Sequence, residues 1–434
     1  MDIEKLYQLF CRFPVISTDT RKPVSDSIFF ALRGEKFDGN FYANDALRKG
    51  AEYVIADDKA INRDERIIIV DDTLTTLQQL AAYHRSKIST RIIAVTGSNG
   101  KTTTKDLICK VLSGKYKVCS TQGNLNNHIG VPLTILTIQS EDQFGVVEMG
   151  ANHPGEIRNL CRIAQPGYGL ITNIGRAHLE GFGSIEGVKK AKQELFEYLQ
   201  DSKGKVFVNC DDKMLMDMLR NFTGEMIRYG NCIESICSGK ITGNNPFLNI
   251  QVNTGNQNRN SFELQTRIPG EFNFENILAA LTVGYYFDVN VKTMIAAINN
   301  YVPDQLRSQL VKTEYNTLFV DAYNANPTSM EMAIRNFQKN PDKNKILIIG
   351  EMAELGKTSV EEHVFLISLL KKLKGNRIIL VGKNFFELSI PPEFERYPDT
   401  QALAQSIQSN PLRNSTILLK GSRIVGLEKL IPFL

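Results

Sequence analysis

The sequence predicts an α/β protein built from three domains. Its 434 residues correspond to three domains at roughly 150 residues each. Apolar segments of strand length alternate with helical segments over most of the chain, as in wound α/β sheets. One fully apolar strand also runs into a glycine-rich turn and then a helix. We place the domains at residues 1–89, 90–300 and 301–434.

The first domain is expected to be a small α/β unit. Its alternating apolar segments and turns predict elements at 27–32 (strand), 41–49 (helix), 51–56 (strand), 66–70 (strand) and 73–87 (helix).

The central domain is predicted to be a wound, mostly parallel sheet. Residues 91–96 form a continuous apolar strand of the kind buried in parallel sheets. A polar, β-rich segment at 233–267 indicates a small antiparallel insertion. Further elements are expected at 144–148, 169–173, 205–208 (strands) and 274–287 (helix).

The third domain is predicted to be a second open α/β sheet of Rossmann-like type. It begins near residue 301, and helical segments separate its strands. Those strands are expected at 317–320, 345–349, 377–381 and 416–419.

Composition narrows the class of protein. The net charge is +4, from 51 basic and 47 acidic residues, which argues against a nucleic-acid partner bound through a broad basic face. No apolar run approaches the ~20 residues of a membrane span, and no signal-like segment follows the N-terminus. The seven cysteines include no CxxC pair. We therefore expect a cytoplasmic, monomeric protein with reduced thiols.

The strongest motif follows strand 91–96 and opens a helix. Its glycines allow backbone N–H groups to approach phosphate oxygens, and the helix N-terminus favours negative charge. Lys101 is predicted to face the β- and γ-phosphates and Thr102 to ligate Mg²⁺. Val95 stands where the general phosphate loop has glycine, so this is a shortened variant. Its predicted nucleotide contacts are Gly97, Ser98, Asn99, Gly100, Lys101, Thr102 and Thr103.

This shortened loop resembles that of the Mur ligase and folylpolyglutamate synthase superfamily. Further motifs similar to that superfamily follow in order along nearly the whole chain, and their common order makes the resemblance specific. They stand at 18–21, 29–39, 124–132, 148–152, 171–180, 190–196, 270–276, 321–327, 350–356 and 420–423. Thr20 replaces the usual serine of the first motif, and Phe272 replaces a frequent histidine.

The N-terminal motifs look like the uridine-nucleotide-binding domain of Mur ligases that act on peptide-bearing nucleotides. The resemblance implies a UDP-substrate site made by Thr18, Asp19, Thr20, Arg21, Arg33, Gly34, Phe37, Asp38 and Gly39.

The resemblance also implies a catalytic group. Glu148 and His178 match magnesium ligands, and Glu148 independently ends an apolar strand, where wound sheets bind ligands. The alternative for Glu148 is a buried, paired carboxylate. Lys192 matches a lysine that becomes a carbamate and then ligates magnesium, whereas Lys189 and Lys190 are expected on a solvated helix face.

Four more residues resemble ATP contacts of the family. Asn273 and Asn276 match nucleotide-binding asparagines, although capping the helix that follows explains either one alone. Arg307 and Asp321 match third-domain residues that meet ATP when the domains close. Leu306 occupies a position where the family usually has glycine.

The implied activity is an ATP-dependent amide ligase that adds D-alanyl-D-alanine to UDP-N-acetylmuramoyl-tripeptide in peptidoglycan precursor synthesis, with Mg²⁺. Alternatives are another Mur-type amino-acid ligase, a nucleotide-regulated binding protein, and a scaffold paralogue that has lost catalysis. The Asp-Asn-Pro-Arg tetrapeptide typical of the ligase that adds the third peptide residue is absent. The third acceptor residue and the base that deprotonates the amine remain open.

Overall fold

A computed structural model describes residues 2–22, 24–61, 64–255, 260–304, 306–373 and 375–434. Within these residues, the strands form three large sheets and a two-stranded hairpin. Each large sheet is wholly or mainly parallel and packs against helices, so the predicted α/β class is confirmed.

The N-terminal sheet is parallel, with strand order β1-β2-β5-β6, and β3 and β4 form the hairpin. Asp2 caps the first helix, and Asp72 caps the third by accepting a hydrogen bond from the Thr75 N–H. Helix α1 and strand β1 were not predicted. The elements are α1 (Ile3–Arg12), β1 (Val15–Ser17), β2 (Ser27–Phe30), β3 (Arg33–Gly34), β4 (Phe37–Asp38), α2 (Ala43–Arg48), β5 (Tyr53–Ala56), β6 (Ile67–Ile69) and α3 (Thr73–Lys87).

The central domain adds a nine-stranded mixed sheet and eight α-helices within the described residues. Its elements are β7 (Arg91–Thr96), α4 (Lys101–Leu112), β8 (Val118–Ser120), α5 (Gly130–Leu136), β9 (Phe144–Glu148), α6 (Glu156–Ala164), β10 (Tyr168–Ile171), α7 (Leu179–Phe182), α8 (Ile185–Asp201), β11 (Lys205–Asn209), α9 (Lys213–Met218), β12 (Met226–Tyr229), β13 (Cys237–Asn244), β14 (Leu248–Thr254), β15 (Asn260–Gln265), α10 (Phe274–Tyr286) and α11 (Val291–Asn299).

The order of strands in this sheet creates a crevice at one edge. The order is β15-β14-β13-β12-β11-β10-β7-β9-β8, and β8 to β12 are parallel. After β7 the chain forms β8 at the edge of the sheet, then β9 between β8 and β7, and finally crosses to β10 on the other side of β7. Such a reversal leaves a crevice at the carboxyl ends of the central strands.

The polar segment at 233–267 is antiparallel as predicted, and its strands join the central sheet. Tyr229 of β12 pairs with Cys237 of β13, so β13, β14 and β15 extend the central sheet. Alternate side chains of β14 are buried in the same core as α10, which explains why the segment joins the sheet. Residues 256–259 of this segment lie outside the described residues.

The third sheet has the order β16-β17-β21-β18-β19-β20, with only β16 antiparallel among its described strands. The last strand returns to the centre of the sheet, between β17 and β18. The elements are β16 (Gln309–Lys312), β17 (Asn316–Asp321), α12 (Pro327–Gln338), β18 (Lys345–Gly350), α13 (Ser359–Leu370), β19 (Arg377–Val381), β20 (Glu395–Tyr397), α14 (Thr400–Ser409) and β21 (Ser415–Lys420).

Two further features bear on the sequence expectations. Across the described residues, no helix combines the length and apolar character needed to cross a bilayer.

Cys210 and Cys232, which follow β11 and β12, form a disulfide. The expectation that all thiols are reduced is therefore wrong for this pair, because the two adjacent strands bring their following loops together.

A buried asparagine should be a main support of the third sheet. The Asn316 amide accepts from the Ser415 N–H at 3.1 Å and donates to the carbonyls of Leu412 and Leu434. Asn316→Ala would leave buried backbone groups unpaired, at about 1–3 kcal/mol. We expect the urea unfolding midpoint of this domain to fall accordingly. The exposed Asn300→Ala serves as control, and equal midpoints for the two variants would contradict this assignment.

Candidate active site

A cleft of about 570 Å³ lies between the carboxyl ends of the central and third sheets. Residues from the phosphate loop, from the ends of β9 and β10, and from the third domain all line it. Of the predicted residues, the lining includes Ser98, Asn99, Gly100, Lys101, Thr103, Glu148, His178, Asn273, Asn276, Arg307 and Asp321.

The phosphate loop is held by the segment that follows β10. Gly97 and Gly100 have φ values of +140° and +79°, a region that suits glycine. The Ser98 N–H donates to the Asn173 carbonyl at 3.0 Å, and Thr172 Oγ1 donates to the Asn99 carbonyl at 2.6 Å. The loop conformation is therefore fixed by protein contacts.

Lys101 begins α4 and folds back over its own loop. Its Nζ donates to the Gly97 carbonyl at 2.8 Å and to the Ser98 carbonyl at 3.1 Å. Burial lowers the pKa of Lys101, and the charge of Glu148 acts in the opposite direction. The lysine thus lies beside the backbone where phosphate is expected.

Glu148 is almost completely buried at the end of β9. Its Oε1 accepts a hydrogen bond from Asn126 Nδ2 at 2.7 Å. Its Oε2 and the buried Thr102 Oγ1 have no hydrogen-bond partner among the described residues. Glu148 is therefore not the fully paired structural carboxylate considered as its alternative.

His178 and Lys192 occupy different depths beside this cleft. Glu354 Oε2 of the third domain lies 2.6 Å from His178 Nδ1, and this contact lowers the pKa of Glu354. Lys192 lies behind the cleft lining, 1% exposed, with its Nζ 5.6 Å from the Phe182 ring centre. In the described part of the chain, Lys192 forms neither a hydrogen bond nor an ion pair.

Burial, with the nearby charge of Lys101 as the next cause, lowers the pKa of Lys192 to about 7. Lys190, two residues earlier on α8, is exposed as predicted, whereas Lys189 is half-buried. The helix therefore separates a solvent-facing lysine from one that is buried.

The two asparagines of the 270–276 motif form a buried network rather than helix caps. Asn276 Nδ2 donates to Asn273 Oδ1 at 2.9 Å, and Asn276 Oδ1 accepts from Thr104 Oγ1 of α4 at 3.0 Å. Asn273 makes no side-chain capping bond to α10. Their contacts instead join α10 to the phosphate-loop helix.

Third-domain residues complete the opposite wall. Arg307 stacks on the Tyr323 ring, with Cζ 3.8 Å from the ring centre. Asp321 pairs with the buried Lys420 at 2.8 Å. Leu306 has a φ of +59°, which gives a physical reason for glycine being usual at this position, since a side chain there costs roughly 1–2 kcal/mol.

The residues predicted to bind the uridine nucleotide lie on the N-terminal domain, apart from this cleft. Arg21 makes two side-chain hydrogen bonds to Asp19, which lower the pKa of Asp19 to about 2. Arg33 donates to Asp57 Oδ1 at 2.8 Å. Gly34 and Phe37 pair within the hairpin, and Gly39 lies so close to the Leu32 carbonyl that a Cβ would approach it to 2.5 Å.

Comparison with known proteins supports the same architecture. The chain matches the Mur ligase middle domain over residues 95–284, the Mur ligase glutamate ligase domain over 306–423, and the Mur ligase family catalytic domain over 13–85. It is 33% identical to the UDP-N-acetylmuramoyl-tripeptide–D-alanyl-D-alanine ligase of Bacillus subtilis (strain 168), over 96% of this chain and 92% of that protein.

The chain belongs to the Mur ligase family. The corresponding ligase of Escherichia coli (strain K12) is 32% identical, over 96% of this chain and 92% of that one. Among solved structures, MurF from Acinetobacter baumannii has a TM-score of 0.86 at 29% identity, covering 96% and 92% of the two chains. MurF ligase from Thermotoga maritima in complex with ADP has a TM-score of 0.85 at 26% identity, covering 98% and 97%.

Several contributors to the Mur ligase cleft were not assigned roles from sequence. Four of them lie within the family motifs given above, so the sequence could have identified them. They are Asn126, Tyr323, Glu354 and Lys420. Asp57 lies outside the motifs, yet it accepts hydrogen bonds from Arg33, Asn40 and Thr73 beside the predicted uridine residues. Only the fold brings this carboxylate to those residues.

A methyl group at Gly97 should disrupt the loop. Its Cβ would lie 2.0 Å from Thr172 Oγ1, so Gly97→Ala must displace either the loop or the end of β10. We expect at least a tenfold loss of affinity for a non-hydrolysable ATP analogue by calorimetry. Gly123→Ala is the control, because Gly123 also has positive φ but no atom within 4 Å of its Cβ position. Equal affinities would contradict the loop assignment.

Proposed function

We propose that this chain is an ATP-dependent, ADP-forming ligase that joins D-alanyl-D-alanine to UDP-N-acetylmuramoyl-tripeptide in peptidoglycan precursor synthesis. The observation that carries the proposal is the cleft, where Lys101 and Glu148 of the central domain face Arg307 and Asp321 of the third. Relatives that are named for this activity match the chain over nearly its full length.

The reaction has two balanced steps. A carboxylate oxygen of the tripeptide attacks the γ-phosphorus of ATP, forming an acyl phosphate and releasing ADP. The amine of D-alanyl-D-alanine then attacks the acyl carbon, the C–O bond to phosphate breaks, and the amine loses a proton. Negative charge gathers in the first step, so preorganised donors and cations lower its barrier. Lys101 and the loop N–H groups supply these.

Magnesium fits the donor set. Within the described residues, no cluster of three or more His, Cys, Asp or Glu side chains forms a metal site. The unpartnered oxygens of Thr102 and Glu148 are nevertheless hard ligands of the kind Mg²⁺ prefers. We assign Mg²⁺ to Thr102 and Glu148, with His178 and a modified Lys192 holding a second ion. Bound Mg²⁺ supplies charge neutralisation of the phosphates.

Lys192 is the residue we propose to be carbamylated. An ammonium has donors and no acceptor, so it cannot ligate a cation. Its unprotonated amine can attack CO₂, forming a carbamate and releasing one proton. Three features of its site support this reaction: burial, the absence of a direct ion pair among the described residues, and a pKa that burial lowers to about 7 against the opposing charges of Glu156, Glu194 and Glu148.

The remaining assignments follow the domain layout at 1–89, 90–300 and 301–434. Residues of the first domain around Arg21 and Arg33 are proposed to bind the UDP moiety, while Asn273 and Asn276 face the ATP nucleotide. We propose a cytoplasmic monomer. The alternatives to the proposed ligase function are another Mur-type amino-acid ligase and a nucleotide-regulated binding protein. The assay below distinguishes them.

The activity has a direct test. Phosphate release should require ATP, UDP-N-acetylmuramoyl-tripeptide and D-alanyl-D-alanine together, because the acyl phosphate turns over only when the amine attacks it. Mass spectrometry should find the pentapeptide product. Equal phosphate release without the dipeptide would refute the ligase proposal. Preference for a single amino acid over the dipeptide would identify a sister ligase instead.

Lys192→Ala should lower turnover about 10²–10³-fold, by loss of a preorganised charge in the site. Short carboxylic acids should partly restore activity by filling the vacant ligand position. Intact-mass analysis under CO₂-saturated, mildly alkaline conditions should detect the modification on the wild-type chain.

Lys190→Ala is the matched control on the same helix, and it should keep wild-type turnover. Lys192→Ala turnover close to wild type would exclude any catalytic role for this lysine. An inactive variant that no acid rescues, together with an unmodified amine in active enzyme, would make Lys192 a phosphate contact rather than a carbamate.

A further inference from the structure

The segment 174–180, which follows β10 and carries His178, is held largely by the third domain. The Arg176 N–H donates to Thr328 Oγ1 at 2.9 Å, and the Glu180 N–H donates to the Glu354 carbonyl at 3.1 Å. A Cβ at Gly175 would lie 2.9 Å from Thr328 Oγ1, so the Thr328 side chain packs closely against the backbone of Gly175. We call residues 174–180 the His178 loop.

Arg176 makes the strongest of these contacts. Its Nη1 donates to both carboxylate oxygens of Glu362, at 3.1 and 2.9 Å, and Nη2 lies 3.7 Å from Glu331. The guanidinium also stacks on Phe365, with Cζ 4.9 Å from the ring centre. The Glu362 side chain is 9% exposed and that of Arg176 is 31% exposed, so the carboxylate is shielded from solvent while the guanidinium is partly open to it.

The same loop reaches the phosphate loop from its other side. Ser98 Oγ accepts from the Gly175 N–H at 2.9 Å and donates to the Gly175 carbonyl at 3.1 Å. His178 itself has a φ of +52°, an unusual conformation that its surroundings must maintain. Its imidazole contacts Glu354. The His178 loop therefore depends on two domains for its shape.

We propose that Arg176 is a positioning residue for His178. By binding Glu362, it couples docking of the third domain to the placement of the imidazole in the cleft. The proposal rests on the ligase function given above, because it concerns the same site. His178 is then correctly placed when the third domain is docked on the central domain, and it is displaced when the third domain moves away.

A double-mutant cycle separates this role from simple stabilisation. Arg176→Gln should lower kcat about 10–100-fold, the effect of misplacing a group by about 1 Å, while the KM for ATP stays within about threefold. Combined with His178→Ala, the same substitution should cost less than about twofold further, because residues that act through each other are not additive.

Arg176→Lys should recover part of kcat, since a lysine keeps the charge but loses the planar guanidinium that stacks on Phe365. Arg377→Gln is the matched control. Arg377 also pairs with a glutamate, because its Nε and Nη2 donate to the two carboxylate oxygens of Glu395, inside the third domain and away from the cleft lining. We expect wild-type kinetics for this control variant.

Hydrogen exchange gives a readout that does not need turnover. With an ATP analogue and the UDP substrate bound, amides of the His178 loop should exchange at least tenfold faster in Arg176→Gln than in wild type and Arg377→Gln. Unchanged exchange, unchanged kcat, or full additivity with His178→Ala would each overturn the proposal. A wild-type protein without ligase activity would instead overturn the proposed function, and the exchange result would still decide the role of Arg176.

Discussion

The hydrogen bonds around Asn99 are the constraint on which the active-site cleft depends. Its carbonyl accepts from Thr172 Oγ1 and Asn173 Nδ2, and its N–H donates to Asn173 Oδ1 at 3.0 Å. Its own side-chain oxygen accepts from Asn326 Nδ2 of the third domain at 2.8 Å. One residue of the phosphate loop thus joins β7, the end of β10 and the third domain, so the geometry of each affects the others.

Such a loop has little freedom to adapt to its ligand, and this suits phosphoryl transfer. The chemistry requires little beyond alignment and charge stabilisation, and both are most effective when the donors are already in place. Three features of the site cost free energy in the folded chain without ligands. They are the inward-facing Lys101, the unpartnered Glu148 oxygen and the buried Lys192. They are understandable where anionic phosphates and cations occupy the cleft during turnover.

The sequence was sufficient to predict the α/β class, the bounds of β7, β9 and α3, and eleven of the thirty residues that line the cleft. All of those eleven except Arg307 stand within contiguous motifs. It was insufficient for contacts that only the fold creates. The antiparallel strands β13 to β15 joined the central sheet through a single pair with β12, and the Cys210–Cys232 disulfide depends on adjacent strands. Asp57 likewise approaches Arg33 only through the N-terminal sheet.

Two carboxylates of the third domain, Glu354 and Glu362, contact the His178 loop. These contacts indicate how a ligase with several domains limits ATP hydrolysis. Glu354 and Glu362 belong to the third domain, whereas His178 and Arg176 belong to the central one. A site whose parts come from both domains is complete only when they meet. If docking follows binding of the substrates, the γ-phosphate meets its full set of cationic and polar groups only when an acceptor is present, and water is then a poor competitor. The division of the site between domains therefore favours transfer to the peptide over hydrolysis.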